Sequence, residues 1–217
     1  MTMLAAATMM MTAANAQETE RIDREELLTL YVDVEKTDSL YNFWNTYVQV
    51  HPKDEVAWRN LFEVSEKKVY RRINTTKDWK GSEEYRKQLN VVGRMEKAIP
   101  HTYTFYYCAY EGSYLPEEEE KLAKKNNMTT LYMHHEAYAD SAIAMLPADA
   151  LAGDYDRWIL YLIPKCDTMR TDQLLTRYAQ NTWHEFGEQE QAESGYWNVP
   201  DANITVVYER YTRGTLL

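Results

Sequence analysis

Glycine is scarce in this chain, at 7 residues of 217, and that argues against a turn-rich all-β sandwich and for helices joined by polar loops. The seven are scattered, so no glycine-rich phosphate loop exists, and there is no G-x-S-x-G elbow. Basic residues are short too: 24 Lys and Arg face 34 Asp and Glu, for a net charge of −10. An acidic surface repels phosphate and anionic lipid and no Lys/Arg stripe offsets it, so no nucleic-acid partner is expected. Cysteine occurs only at Cys108 and Cys166. An even count permits a disulfide in an exported chain, but the pair reads more readily as two small buried hydrophobes. Neither has a neighbouring His–Asn/Asp pattern, so a cysteine nucleophile is not expected.

What the chain has is apolar and aromatic residues, 45% and 13%, with 18 tyrosines. Tyrosine suits wide, half-buried helix faces, because its ring packs while its hydroxyl finds a polar partner. Two amphipathic stretches set the pattern. Residues 37–50 carry Leu40, Phe43, Trp44, Tyr47 and Val48 at three- and four-residue steps, and residues 54–72 carry Ala57, Trp58, Leu61, Phe62 and Val69. His51-Pro52 separates them, and proline fits the first turn of the second helix.

Ahead of this pair, residues 1–16 contain no charge and end in Ala14-Asn15-Ala16, the small-x-small pattern of a secretory cleavage site. The segment is too short to span a bilayer. A signal peptide ordinarily opens with Lys or Arg, whereas the first basic residue here is Arg21. The expectation is an exported protein, periplasmic or associated with the outer envelope, whose mature chain begins at Gln17. Asp23 with Glu26 then suggests a capping box before Leu27, Leu28, Tyr31 and Val34. Ser82 should cap a helix with Tyr85, Leu89, Val92, Met95 and Ile99 on one face.

Pro52, Pro100, Pro147 and Pro200 recur at steps of roughly fifty residues, each followed by an aromatic cluster. This predicts units of two helices with proline opening the first. The second unit has a short helix over 101–114, an acidic-then-basic surface helix after Pro116, and a long helix over 128–146 with Leu131, His135, Tyr138, Ala142 and Met145 in one stripe. The third has a helix ended by Pro164 and another over 171–186, then an acidic loop over 187–198. Residues 200–217 start a further repeat or a downstream domain, and 204–208 are β-branched enough for a strand.

At Trp44, Pro52, Ala57, Trp58 and Leu61 the chain resembles tetratricopeptide-like repeat proteins, best over residues 37–72. Its spacing is longer than that family's, and Leu40 and Tyr47 stand where small residues are usual. The resemblance implies an all-α array of helical hairpins in a superhelix over residues 17–199, with a protein- or peptide-binding groove. It implies no catalytic residue.

The expected function is therefore a non-enzymatic binding or scaffolding module of the bacterial cell envelope, without cofactor. Its groove would be lined by Trp58, Tyr106, Tyr110, Trp158 and Tyr161 from the first helix of each unit. Trp58, Trp158, Trp183 and Trp197 could stack on a sugar or anchor a peptide, although tryptophan at helical spacing is more often core. Two other readings stand beside this one. The helices could be the N-terminal portion of a larger exported protein whose downstream domain carries the activity. A metal-dependent hydrolase could use His134, His135 and His184. Adjacent histidines point about 100° apart on a helix, which favours one packed and one solvated ring over a metal site. Carboxylate pairs such as Asp154 and Asp156, or Glu188 and Glu190, read as solvated faces.

Overall fold

The structure, a computed structural model, describes residues 19–22, 24–73, 82–113 and 135–180. Among these the regular elements are all helical: α1 Arg24–Thr29, α2 Val34–Val50, α3 Glu55–Ile73, α4 Glu83–Ala98, α5 Tyr103–Gly112, α6 His135–Met145, α7 Ala152–Leu162 and α8 Thr168–Ala179. A 3-10 turn, Ile163–Lys165, follows α7. The expected all-α hairpin architecture is what the chain adopts. The proposed helix after Pro116, His134, His184, the acidic loop and residues 200–217 lie outside the described residues.

Most helix starts are written locally. Asp33, Ser82, Thr102 and Asp167 each accept a hydrogen bond from the amide three residues on, and Asp54 does the same for Ala57 at 2.9 Å. Pro52, Pro100 and Pro147 sit in the turns before α3, α5 and α7, not at the first helical residue as expected. The early capping-box helix also differs. It ends at Thr29, the chain turns over residues 30–33, and Val34 opens α2. Arg71 holds this turn from the far end of α3, donating to the carbonyls of Leu30 at 2.6 Å and Tyr31 at 3.0 Å. A local pattern cannot foresee a break fixed by a residue forty positions away.

Consecutive helices pack as neighbours: α2 on α3, α3 on α4, α4 on α5, α5 on α6 and α7 on α8. Alternate helices meet as well, α1 with α3 and α3 with α5. Trp158 of α7 reaches α5 by donating its indole N–H to the Tyr103 hydroxyl at 3.1 Å. The helices that follow Pro52, Pro100 and Pro147 thus succeed one another as neighbours. The core divides accordingly into three apolar clusters. One holds Ile22, Leu27, Leu30 and Val64. The second is built on Trp58, Leu61, Phe62, Val92 and Met95, and the third on Tyr155, Trp158, Leu162, Leu175 and Tyr178. Tyr41 and Trp44 join the first pair of clusters, and Tyr106, Tyr107 and Tyr138 join the second pair. Among the described residues apolar surface is thus buried between successive helices, in clusters that follow the chain.

The α3 stripe is the one expected: Ala57, Trp58, Leu61, Phe62 and Val69 are all buried. Of the α4 stripe, Tyr85, Val92, Met95 and Ile99 are buried as expected, but Leu89 is half-buried and Gln88 and Val91 go inward instead. In α6 the buried stripe is turned. Ala139, Ala142, Ile143 and Leu146 go inward, while Met145 is 42% exposed.

Candidate functional site

Helix α3 is enclosed by α1, α2, α4 and α5, so every residue from 57 to 65 is buried. Its polar residues are trapped there and must find partners. Asn60 turns toward the chain before α1. Its side-chain oxygen accepts from the Ile22 amide at 3.0 Å, and its side-chain nitrogen donates to the Glu20 carbonyl at 2.9 Å. One carboxamide therefore brackets the main chain of Arg21, as a neighbouring strand would.

Arg59 and Glu63 form the next face. The Arg59 Nε donates to Glu63 Oε1 at 2.6 Å, and its Nη2 lies 3.4 Å from Asp154 Oδ1 on α7. The Arg59 guanidinium carbon sits 3.3 Å from the centroid of the Tyr107 ring on α5. Burial works against its charge, but Tyr107, Glu63 and Asp154 outweigh that and hold its pKa well above the ordinary value. Arg21 completes the group, reaching Glu63 Oε1 at 2.9 Å and Asp154 Oδ2 at 3.5 Å. Two guanidiniums thus share two buried carboxylates contributed by α3 and α7. Glu63 Oε2 is also buried and accepts no hydrogen bond among the described residues.

Beyond this, Glu111 of α5 pairs with Arg157 of α7. Half-buried Glu66 has no such partner among the described residues. Burial first, then the proximity of Glu111 and Glu63, pushes its pKa from 4.5 to about 8. The result is a polar face shared by α3, α5 and α7, crossed at one end by residues 19–22. Thr19 anchors that crossing by donating to Asp54 Oδ2 at 2.5 Å. Such a face can hold main chain and cationic groups. Among the described residues no group of three or more His, Cys, Asp or Glu could hold a metal ion.

The aromatic residues expected to line a groove are placed differently. Trp58 and Trp158 are 2% and 0% exposed, and both are core residues. Trp58 donates its indole N–H to the Pro52 carbonyl at 3.0 Å, closing the α2–α3 turn. Tyr110, Trp158 and Tyr161 do come together, with ring centroids 5.1 to 6.1 Å apart. Tyr110 is buried and stacks on His135 at 4.2 Å. Tyr161 is half-buried under Lys165, and Tyr106 is half-buried between two core clusters with its hydroxyl 2.9 Å from His101 Nδ1. Both tryptophans are covered because α3 and α7 have helices on several sides, so neither is available to a ligand.

Two further expectations are corrected. Asp154 and Asp156 are each 6% exposed and do not form a solvated face. Cys108 is buried but Cys166 is exposed in the turn after α7, so they are not two core hydrophobes, and both are free thiols. A surface cleft of about 560 Å³ lies between α6 and α8, crossed by the Arg170–Asp140 ion pair. It is separate from the polar face. No described helix is long and apolar enough to cross a membrane.

Arg59, Asn60, Glu63 and Asp154 were not legible as site residues in the sequence. Their one signal was placement: Arg59, Glu63 and Glu66 recur at helical steps inside a stretch whose other residues are core. Compared with protein-family models, curated proteins and solved structures, the chain matches none.

Proposed function

We propose that this protein is a non-enzymatic module that binds protein or peptide segments in extended form. The observation that carries the reading is Asn60, which holds both main-chain groups flanking Arg21 on a face shared by three helices. Main-chain recognition of this kind gives affinity for an extended segment, and neighbouring side-chain slots give specificity. Helix α5 lies beside α3 and is bonded to α7 through Tyr103 and Glu111, which places side chains of three helices along the segment. The uncharged leader and its Ala14-Asn15-Ala16 site support an exported, envelope setting. Tyr106 and Tyr161, each partly accessible, remain candidates for the outer contacts.

The test is selection of displayed random peptides on the full chain, followed by titration against Asn60→Ala. Binders with micromolar affinity that lose at least about tenfold on the variant are expected, since a bidentate main-chain contact is removed. Circular dichroism verifies that the variant is folded. Failure to obtain any peptide whose binding depends on Asn60 overturns the reading.

A further inference from the structure

Residues 19–22 lie on the polar face as a bound peptide would. We infer that this segment is an intramolecular stand-in, and that the site takes an extended partner segment carrying an arginine, which binds by displacing residues 19–22. The inference rests on the peptide-binding reading above and adds the ligand's chemistry and its gating.

Three features support it. First, Asn60 hydrogen-bonds to main-chain atoms of the segment, at Glu20 and Ile22. Those contacts are indifferent to side chain and transfer to any extended chain. Second, the slot between them is shaped for a guanidinium. Arg21 uses two different nitrogens, Nη2 toward Glu63 on α3 and Nη1 toward Asp154 on α7. A compact ammonium would not span two carboxylates from two helices in this way. Third, the present occupant leaves the slot underused. Its bond to Asp154 is long at 3.5 Å, and the buried Glu63 Oε2 accepts nothing among the described residues. An incoming arginine with a freer backbone can draw closer and engage that oxygen.

The segment is also built to leave. Residues 19–22 belong to no helix. They are held by the bonds of Thr19, Arg21 and Asn60, and by Ile22 packed near Leu27, Leu30 and Val64. A segment outside any helix, tied by side-chain bonds and not by a helical ladder, belongs to the low end of local stability. While it is docked, a partner's arginine competes with a tethered one, and apparent affinity falls by the fraction of time the site is filled.

The experiment uses the full chain and a fluorescein-labelled peptide of the sequence of residues 18–23, in which Arg21 is the one arginine, followed by fluorescence anisotropy. A control peptide carries Arg21→Gln. The expected result is that Arg21→Ala protein binds the arginine peptide at least about tenfold more tightly than wild type does, with the control peptide at least about tenfold weaker. Should Arg21→Ala loosen the fold, Ile22→Pro serves in its place. It deletes the amide that Asn60 accepts from and keeps every charge. Equal affinity of wild type and both variants for the arginine peptide overturns the displacement. Equal affinity for the two peptides, lost in Asn60→Ala, overturns the arginine preference and leaves the peptide-binding reading standing. If selected random peptides bind but neither of these does, the inference fails alone. If no peptide of any kind binds, both fail.

Discussion

The guanidinium carbon of Arg59 lies over the Tyr107 ring, 3.3 Å from its centroid, in a part of the molecule where Arg59 itself is only 5% exposed. Helix α3 is thereby tied to α5 by a cation over an aromatic face, and to α7 through Asp154. Removing the cation would leave Glu63 and Asp154 buried with Arg21 alone to balance them. Arg59→Met should destabilise the fold by about 3–5 kcal/mol, the usual consequence of orphaning buried charge. Urea unfolding measures this directly. Replacing Arg21, Arg59, Glu63 and Asp154 together by apolar residues should recover most of the loss. A single variant no less stable than wild type would mean that the network contributes nothing.

Glu66 makes the fold sensitive to pH. Its carboxyl titrates near 4.5 when unfolded and near 8 when folded. Between those values the folded chain holds the proton and the unfolded chain does not. The contribution of Glu66 is therefore greatest below about pH 4.5 and declines as pH rises toward 8. Glu66→Gln should flatten the decline and raise stability at about pH 9 by roughly 1–3 kcal/mol. Denaturation midpoints of the two proteins at about pH 5.5 and about pH 9 report it. Parallel pH profiles would show that Glu66 keeps an ordinary affinity for its proton.

Gly93 lies inside α4, where an added Cβ would meet nothing within 4 Å. Glycine in a helix interior costs backbone entropy that alanine does not. Gly93→Ala is therefore expected to stabilise the protein by about 0.5–1 kcal/mol, seen as a rise in thermal midpoint. A fall would place a neighbour in that space.

The two thiols should behave oppositely toward an alkylating reagent. Burial pushes the Cys108 thiol well above its ordinary pKa, whereas Cys166 is exposed at a left-handed position with φ of 54°. Under native conditions mass spectrometry should find one label per chain, at Cys166, and a second only after unfolding. Native labelling of Cys108 would show that α5 opens readily.

Helical class was legible because it rests on short-range terms. Ser82 accepts from the Tyr85 amide, and the α3 stripe and most of the α4 stripe are buried as their spacing predicts. Caps and periodicity act within one turn of chain, and a sequence displays them openly. The α6 stripe was misread because its burial depends on which side α5 covers, and nothing within the helix states that.

The site belongs to the other kind of information. Asp154 looks like a surface carboxylate until α7 is laid against its neighbours, and then it is 6% exposed and faces Arg59 and Arg21 from distant parts of the chain. Trp58 and Trp158 could be offered by the sequence as groove or as core, and the same packing places both in the core. Residue order alone determined that this chain forms capped amphipathic helices with aromatic inner faces. Only the packing of helix on helix decided which polar groups were taken from water, because desolvation is set by neighbours far along the chain.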